Sequence, residues 1–352
     1  MRPLADAPRA RAGFGTRLES ALAALWWRPE RRPLAQALRP LAALYAGLAA
    51  LQRTLATPQR IGAPVVVVGN LIVGGAGKTP TVIALVRLLR ALGWTPGVIS
   101  RGHGRRSRGL VEVTRNTPVT ESGDEPLLIH LRSGAPLVVG ADRVAAAQAL
   151  RSAHPEVDIV VSDDGLQHHR LARDLQVVVF DERGIGNGLR LPAGPLREAL
   201  PATAPPDTLV LYNAERPTTR LPGWMAVRRL AGLVPLADWW RGAAPAADSW
   251  RTFEDRPAVA LAGIASPQRF FDMLHAQGLN VLPRALPDHH DFVQLPWRAG
   301  TDDVIVTEKD AVKLAPDRDL FGARVWVAPL DFEPDIAFVA ALMRHLPRHP
   351  AP

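Results

Sequence analysis

The 352-residue sequence predicts an α/β fold, and three observations support this prediction. A short β-branched run at residues 64–68 leads into a glycine-rich segment and then into a helical pattern at residues 82–92. A second hydrophobic run, at residues 157–162, ends directly in two aspartates. Strand and helix patterns alternate again between residues 258 and 346. Because buried hydrophobic runs that alternate with helices are typical of parallel sheets, we expect α/β/α layers.

The chain is long enough for two domains of about 150 residues each. We predict an N-terminal segment at 1–58, a larger domain at 59–235 and a smaller α/β domain at 236–352. The absence of cysteine excludes disulfides and thiolate metal sites. The net charge is +8, and residues 1–60 alone hold ten arginines against three acids. Nucleic-acid binders usually spread positive charge over a folded face, so no nucleic-acid partner is expected.

The N-terminal segment predicts short helices interrupted by prolines across residues 17–56. Leu18, Leu22, Leu25 and Trp26 recur at helical spacing, and arginines follow. A charge-free run from Pro40 to Leu51 is shorter than the ~20 residues that span a bilayer. Trp26 and Trp27 beside arginines are typical of a helix at a membrane surface, so we predict a membrane-associated helical segment. An amphipathic helix packed on the protein's own core is the alternative.

The most specific motif is the run Gly69-Asn70-Leu71-Ile72-Val73-Gly74-Gly75-Ala76-Gly77-Lys78-Thr79. A strand, a glycine-rich loop, Lys-Thr and a helix form the context of a phosphate-binding P-loop, although Ile72 stands where the strict pattern has glycine. Backbone N–H groups of the loop would surround phosphate oxygens, Lys78 would reach the β- and γ-phosphates, and the Thr79 hydroxyl would bind Mg²⁺. The predicted nucleotide-binding residues are Gly74, Gly75, Ala76, Gly77, Lys78 and Thr79. A glycine-rich turn without nucleotide is the alternative.

Paired acids form the second group of candidates. Asp163 and Asp164 follow a buried strand, where P-loop proteins hold Mg²⁺ or its water, although Asp-Gly also builds turns. Asp124 and Glu125 precede a helical run, which is typical of acids in a first helical turn. Since a kinase needs a carboxylate near the acceptor hydroxyl, Asp124 and Glu125 are also catalytic candidates.

Histidine and lysine supply further candidates. The segment Pro287–Phe292 contains Asp288, His289 and His290, and it fits a metal site, a general base or a solvated loop. Lysine occurs only three times in a chain that otherwise uses arginine, at Lys78, Lys309 and Lys313. This rarity points to positions that need a compact ammonium group. Residues 94–120 hold five arginines, and we expect a mobile basic loop that contacts a substrate phosphate or only solvent.

Several segments in this order resemble the tetraacyldisaccharide 4′-kinase family. They span roughly residues 65–315, and the Asp-Asp-Gly-x-Gln-His and Leu-Pro-Ala-Gly-x-Leu-Arg-Glu runs are the most specific. The segments are Val68–Asn70 with Gly77–Pro80, Ser100–Gly102, Gly123–Pro126, Asp163–His169, Arg173–Leu175, Leu191–Glu198, Pro287–His289 and Thr307–Asp310. His103 departs from the tyrosine that is usual in the family after Ser-Arg-Gly.

The resemblance implies Mg²⁺- and ATP-dependent phosphorylation of the 4′-hydroxyl of tetraacyldisaccharide 1-phosphate to lipid IVA. It implies two α/β/α domains around a nucleotide cleft, and a peripheral location on the cytoplasmic face of the inner membrane. Asp124 and His289 would activate the acceptor hydroxyl, while Glu125, Asp163 and Asp164 would surround Mg²⁺. One alternative is a P-loop ATPase that acts as a switch on a membrane-associated partner. Another is a binding protein without catalysis, which leaves the Gly-Lys-Thr loop and the paired acids unexplained.

Overall fold

The computed structural model describes residues 22, 24–27, 32–246, 248–253 and 256–347. It confirms the predicted α/β class, with one nine-stranded and one five-stranded sheet. The described helices are α1 (Arg32–Ala37), α2 (Arg39–Leu55), α3 (Lys78–Ala91), α4 (Val119–Ser122), α5 (Asp124–Ser133), α6 (Arg143–Ala153), α7 (Leu236–Trp240), α8 (Pro267–Ala276), α9 (Glu308–Ala311) and α10 (Ile336–His345), with a 3₁₀ helix at Ser249–Phe253.

The strands of the larger sheet alternate with these helices. They are β1 (Val65–Gly69), β2 (Pro96–Ser100), β3 (Val111–Glu112), β4 (Leu137–Val139), β5 (Ile159–Asp163), β6 (Leu175–Asp181), β7 (Thr208–Asn213), β8 (Trp224–Leu230) and β14 (Leu330–Pro334). Their order is β14-β8-β7-β6-β1-β5-β2-β4-β3, and only the two edge strands β3 and β14 pair antiparallel. The carboxyl ends of the parallel strands therefore meet at one edge, where ligands bind in open α/β sheets.

The smaller sheet is formed late in the chain, with one short strand from residues 234–235. It contains β9 (Val234–Pro235), β10 (Ala258–Ala262), β11 (Val281–Ala285), β12 (Asp303–Thr307) and β13 (Arg324–Ala328) in the order β11-β10-β12-β13-β9. The β12 strand is central and parallel to both neighbours. Because α9 starts directly after β12, its side chains lie at the carboxyl edge of this second sheet.

The core follows the hydrophobic pattern of the sequence. All five residues of β1 are buried, as expected for a central parallel strand. Helix α3 buries Val82, Leu85, Val86 and Leu89, the apolar face predicted from their spacing. Burial of each such side chain contributes roughly 1.5–3 kcal/mol, and this anchors the loop between β1 and α3 at both ends.

The mobility of the segment at residues 94–120 stays a prediction, but the prediction of one continuous basic loop is wrong for part of that range. It contains β2, β3 and the short helix α4, and every residue of β2 is buried. The prediction was based on the arginines and missed β2, a short strand in which Val98 and Ile99 are completely buried. Residues 94–95, 101–110 and 113–118 lie outside helices and strands.

The chain divides into two compact units. The smaller unit comprises Met1–Ala56, of which residues 22, 24–27 and 32–56 are described, with Leu71–Val73 and Arg183–Ala202. The larger unit comprises Thr57–Asn70, Gly74–Glu182 and Thr203–Pro352 and contains both sheets. The predicted division at residues 58 and 235 stays a prediction.

In the smaller unit the two tryptophans contact the segment at residues 183–192. Trp26 Nε1 donates to the Pro192 carbonyl at 2.9 Å, and the Arg183 guanidinium lies 5.0 Å from the centre of the Trp27 ring. Most of the exposed leucines described in this unit lie on α2 instead. Leu18 and the arginines at positions 28 and 31 lie outside the described residues.

Helix α2 carries a row of exposed leucines. We call Leu41, Leu44, Leu48, Leu51 and Leu55 the leucine stripe, and each of them is more than half exposed. Their spacing of three or four residues places them on one face of the helix. Within the described ranges, the structure has no helix with the length and apolar composition needed to cross a bilayer.

Candidate active site

The P-loop connects the end of β1 to the start of α3. Gly74 and Gly77 have left-handed φ values of 93° and 91°, conformations that favour glycine. Gly74 thus provides the turn that the strict motif assigns to position 72, while Ile72 is completely buried and forms a bridge with Leu196 in the smaller unit. The departure at Ile72 therefore leaves the turn intact.

Lys78 is held inside this loop. Its ammonium donates to Asn70 Oδ1 at 3.2 Å and to the Gly74 carbonyl at 3.3 Å, and Asn70 Nδ2 donates to the same carbonyl at 2.9 Å. The side chain of Lys78 is only 9% exposed, and its Nζ lies 3.7 Å from Asp164 Oδ1. Oxygen atoms of the loop itself thus contact the Lys78 ammonium, the group that binds phosphate in a P-loop.

Asn213, at the carboxyl end of β7, supports the loop beside the motif's last glycine. Its Nδ2 donates to the Ala76 carbonyl at 3.2 Å, and its buried Oδ1 has no hydrogen-bond partner among the described residues. A Cβ atom at Gly77 would lie 2.1 Å from Asn213 Nδ2, so this position has no room for a side chain. Sequence motifs did not single out Asn213, because it lies 137 residues from Ala76 along the chain.

The acids predicted around Mg²⁺ surround Lys78. Asp163 is buried at the end of β5, where Ser100 Oγ donates to its Oδ2 at 2.9 Å, and its Oδ1 has no hydrogen-bond partner in the part of the chain that the structure describes. Burial, and next the charges of Glu125 and Asp164, raise the pKa of Asp163 despite the opposing charge of Lys78. Such a cluster of repelling carboxylates is a suitable environment for a divalent cation. Among the described residues, no group of three or more His, Cys, Asp or Glu side chains is arranged as a complete metal site.

Asp124 and His289 meet across 165 residues of sequence. His289 Nδ1 lies 2.9 Å from Asp124 Oδ2, and Asp124 Oδ1 accepts from the Glu125 backbone N–H at 2.9 Å. Burial opposes ionisation of Asp124, but the His289 hydrogen bond and the charges of Lys309 and Lys313 hold its pKa well below the usual range. The hydrogen bond to Asp124, the largest cause, raises the pKa of His289.

The other histidines of this region differ from His289. His290 packs edge-on against Phe292 at 4.7 Å, and burial lowers its pKa. The centre of the His103 ring lies 5.9 Å from that of the His289 ring. His103, which stands where tyrosine is usual in the family, thus lies beside the Asp124–His289 pair. Of the three interpretations of Pro287–Phe292, the geometry favours a base paired with a carboxylate.

Lys309 and Glu125 form an ion pair next to His289. Lys309 Nζ lies 2.9 Å from Glu125 Oε1 and 3.3 Å from His289 Nε2. Burial, the largest effect, opposes the charge of Lys309, but Glu125 and Asp124 outweigh it and raise the pKa of Lys309. Neighbouring Glu308 points elsewhere, since it accepts from Trp239 Nε1 at 3.0 Å and pairs with Arg132.

Lys313 completes the set of three lysines around the site. Its Nζ lies 3.5 Å from Asp124 Oδ2 and 3.7 Å from Asp310 Oδ1. The rarity of lysine was visible in the sequence, but no local pattern gave Lys309 or Lys313 a role. That rarity was the available indication, because each of the three lysines lies next to one of the acids predicted for catalysis or for Mg²⁺.

A cavity lies beside the P-loop. Residues Gly75–Thr79 line it together with Glu125, Asp288 and Lys309, and Ile83, Leu128 and Phe270 contribute apolar surface. The cavity thus places the phosphate-binding motif and the immediate neighbours of the Asp124–His289 pair around one space. Pockets with an apolar part and a few converging polar groups are typical of nucleotide and substrate sites.

Comparison with known proteins identifies the relationship. The family described as "LpxK: Tetraacyldisaccharide-1-P 4'-kinase" matches residues 34–347. The chain belongs to this kinase family.

Relatives of known name agree with this assignment. The tetraacyldisaccharide 4′-kinase of Methylibium petroleiphilum is 62% identical over 287 residues, which cover 80% of each chain. That of Leptothrix cholodnii is 55% identical over 291 residues, covering 82% of this chain and 84% of the relative. The resemblance recognised in the sequence is therefore confirmed over most of the chain.

A solved structure of the kinase family has the same fold. The apo form of LpxK from Aquifex aeolicus, crystallised in complex with ATP, superposes with a TM-score of 0.72 at 24% identity, covering 89% of this chain and 99% of that one. The predicted α/β architecture around a P-loop is thus the architecture of the kinase family. The roles of individual residues stay predictions, and the distances between their side chains make those predictions specific.

Proposed function

We propose that this chain transfers the γ-phosphoryl group of ATP to the 4′-hydroxyl of tetraacyldisaccharide 1-phosphate in lipid A biosynthesis. Relatives that are 62% and 55% identical carry the name of this activity. The structural observation that supports it is the hydrogen bond of 2.9 Å between His289 and Asp124, next to the cavity of the P-loop. A phosphate-binding loop and a carboxylate–histidine pair around one space are the components of a kinase that phosphorylates an alcohol.

The P-loop would bind the triphosphate. When nucleotide binds, Lys78 exchanges its contacts with Asn70 and the Gly74 carbonyl for phosphate oxygens. The first N–H groups of α3 and its helix dipole add positive potential at the same place. These groups stabilise the charge that develops on the transferred phosphoryl, and such stabilisation supplies most of the rate enhancement in reactions of this kind. The apolar part of the cavity, with Ile83, Leu128 and Phe270, offers a surface for the adenine ring.

Thr79, Asp163 and Asp164, with Glu125 nearby, are the residues that would hold Mg²⁺. The fit is supported by the buried Asp163 Oδ1, to which no described residue gives a hydrogen bond, and by the mutual repulsion of the acids. Bound Mg²⁺ supplies neutralisation of phosphate charge. Burial and the neighbouring acids raise the pKa of Asp163 and so disfavour its charged form, and a bound cation would compensate that charge.

The Asp124–His289 pair would activate the acceptor hydroxyl. Both Asp124 oxygens are engaged, and its side chain is 5% exposed, whereas the His289 side chain is 39% exposed. With Nδ1–H donating to Asp124, the Nε2 lone pair of His289 is the free base, and it takes the hydroxyl proton as phosphoryl transfer proceeds. In this structure Nε2 faces Lys309 at 3.3 Å, so the incoming hydroxyl replaces that contact.

A switch-type ATPase is the less favoured alternative. Such a protein needs the P-loop but has no use for a carboxylate–histidine pair beside the nucleotide cavity. His289 comes from a distant part of the chain, so the contact joins the loop after β11 to the start of α5. Activation of an acceptor hydroxyl would account for the Asp124–His289 contact.

The deciding experiment is transfer of ³²P from γ-labelled ATP to tetraacyldisaccharide 1-phosphate in detergent. The wild type should label the lipid with Mg²⁺ and not with EDTA, and Lys78→Ala should remove labelling while cooperative thermal unfolding is retained. ATP consumption without labelled lipid would leave the P-loop assignment and overturn the acceptor. If a folded wild-type protein neither consumes ATP nor labels the lipid, the kinase proposal is overturned.

We also propose that the protein acts as a peripheral protein on the cytoplasmic face of the inner membrane. Its proposed acceptor is a lipid, and ATP is available on the cytoplasmic side. The leucine stripe offers an exposed apolar face that suits shallow insertion between acyl chains, and Arg39 and Arg53 at the two ends of α2 suit anionic headgroups. The expectation of no nucleic-acid partner stays a prediction.

A further inference from the structure

The buried cation Lys313 has no place in the mechanism described so far. Its side chain is 6% exposed, and its Nζ makes ionic contacts to Asp124 and Asp310 but no hydrogen bond to any described residue. The Phe292 ring lies 5.9 Å from the same ammonium. Burial of an ammonium group costs several kcal/mol unless opposite charges compensate it, so its position demands an explanation.

Asp310 provides a fixed counter-charge. It is completely buried, and its Oδ2 accepts from Thr307 Oγ1 at 2.7 Å and from the Gly263 backbone N–H at 3.0 Å. These bonds attach the carboxylate to the ends of β12 and β10, which leaves Oδ1 directed to Lys313. The position of the Lys313 ammonium is therefore set by the frame of the smaller sheet.

Asp124 Oδ2 links the Lys313–Asp310 ion pair to His289, the proposed base. That one oxygen is shared by His289 Nδ1 at 2.9 Å and Lys313 Nζ at 3.5 Å. We infer that Lys313 is a positioning residue, which, anchored by Asp310, holds the Asp124 carboxylate in the orientation that aligns His289 for the acceptor hydroxyl. The inference rests on the proposed kinase function and adds a residue to it.

Other charged groups face the same pair and have different roles. These are Glu125 on α5, Asp288 beside His289 and Lys309 on α9, and the His103 ring after β2 lies next to the His289 ring. Lys309 contacts Glu125 and the Nε2 side of His289, where the substrate would enter. Lys313 contacts only the Asp124 side, so its removal should disturb alignment and leave the nucleotide contacts of the P-loop intact.

The test compares Lys313→Met, which keeps length and loses charge, with Lys313→Arg, which keeps charge. In the lipid phosphorylation assay, Lys313→Met should lower kcat by about 10- to 100-fold, the usual effect of losing an orienting partner. KM for ATP should change by less than about twofold, and Lys313→Arg should recover a substantial part of kcat. Arg324→Met is the matched control, because it removes a cation from the buried carboxylate of Asp303 at the opposite end of β12, and it should leave kcat unchanged.

A second readout needs no lipid substrate. The proton on His289 Nδ1 should give a ¹⁵N–¹H NMR signal in the wild type, assigned by its loss in His289→Gln. This signal should broaden or disappear in Lys313→Met and persist in Arg324→Met. If the wild type does not phosphorylate the lipid, the proposed function fails, and this signal alone decides the inference.

Three results would overturn the role of Lys313. The first is a Lys313→Met protein with wild-type kcat and an unchanged His289 signal. The second is a rise in KM for ATP that accounts for the whole effect, which would make Lys313 part of the nucleotide site. The third is loss of cooperative unfolding in both Lys313→Met and Asp310→Asn, which would assign the ion pair a purely structural role.

Discussion

His289 Nδ1 lies 2.9 Å from Asp124 Oδ2, and this contact joins the loop after β11 to the first residue of α5. One partner sits beside the P-loop sheet and the other beside the smaller sheet, so the proposed base is complete only when both sheets are packed. The same contact gives each partner a shifted pKa, downward for Asp124 and upward for His289. These properties lead directly to kinetic expectations.

Asp124→Asn should lower kcat far more than it changes KM for ATP. The amide keeps the shape but loses the charge that orients His289, and loss of general-base assistance costs about 10²–10⁴ in rate. Steady-state kinetics with varied ATP and varied lipid measure both constants. A large rise in KM for ATP at constant kcat would make Asp124 a nucleotide contact instead.

Activity should fall on the acid side with an apparent pKa above the ordinary value of a histidine, because the hydrogen bond to Asp124 raises the pKa of His289 and the proposed base must be unprotonated. In Asp124→Asn, burial and the charge of Lys309 remain and both lower the His289 pKa. The acid limb of kcat/KM should therefore move to lower pH in that variant. An acid limb that stays in place would assign the titration to another group.

Lys78→Ala should reduce phosphoryl transfer by about 10²–10³-fold or more, as expected for removal of a preorganised donor at developing charge. The fold should persist, since the hydrogen bonds of Lys78 go to Asn70 and to the Gly74 carbonyl, and its ion pair is with the partly exposed Asp164. Lipid labelling and thermal unfolding, measured on the same preparation, test the two statements separately. Near-full turnover in this variant would refute the P-loop assignment.

Gly77→Ala should destabilise the protein by about 1–3 kcal/mol through backbone strain, with a further cost from crowding. Gly77 has a φ of 91°, and a Cβ there would lie 2.1 Å from Asn213 Nδ2. Gly75→Ala is the matched control two residues earlier, since nothing lies within 4 Å of a Cβ at that position. The free energies of unfolding in urea compare the two, and equal values would contradict the crowded geometry.

The double variant Leu44→Ser/Leu48→Ser should bind vesicles of mixed zwitterionic and anionic phospholipid more weakly than the wild type. Each leucine contributes roughly 1.5–3 kcal/mol when it leaves water, whereas both are more than half exposed in the protein and their loss should barely affect folding. Gln52→Ser on the same helix serves as the control. Flotation that is equal for all three proteins would remove the leucine stripe from the membrane proposal.

Local sequence already determined the P-loop, the helix after it and the acids that follow β5, because strand periodicity, glycine torsion and helix starts depend on neighbouring residues. The segments that resemble the kinase family likewise follow one another along the chain, so order and spacing sufficed to recognise them. The buried apolar face of α3 was predicted for the same reason.

Only the tertiary structure brought Lys309 and Lys313 to the acids, placed Asn213 against Gly77, and returned β14 to the edge of the larger sheet. It also showed that the tryptophans contact residues 183–192 while the leucine stripe is exposed. These contacts join residues far apart in the chain, and their energy depends on burial and on charges from other elements. No pattern within a short window of sequence encodes that information.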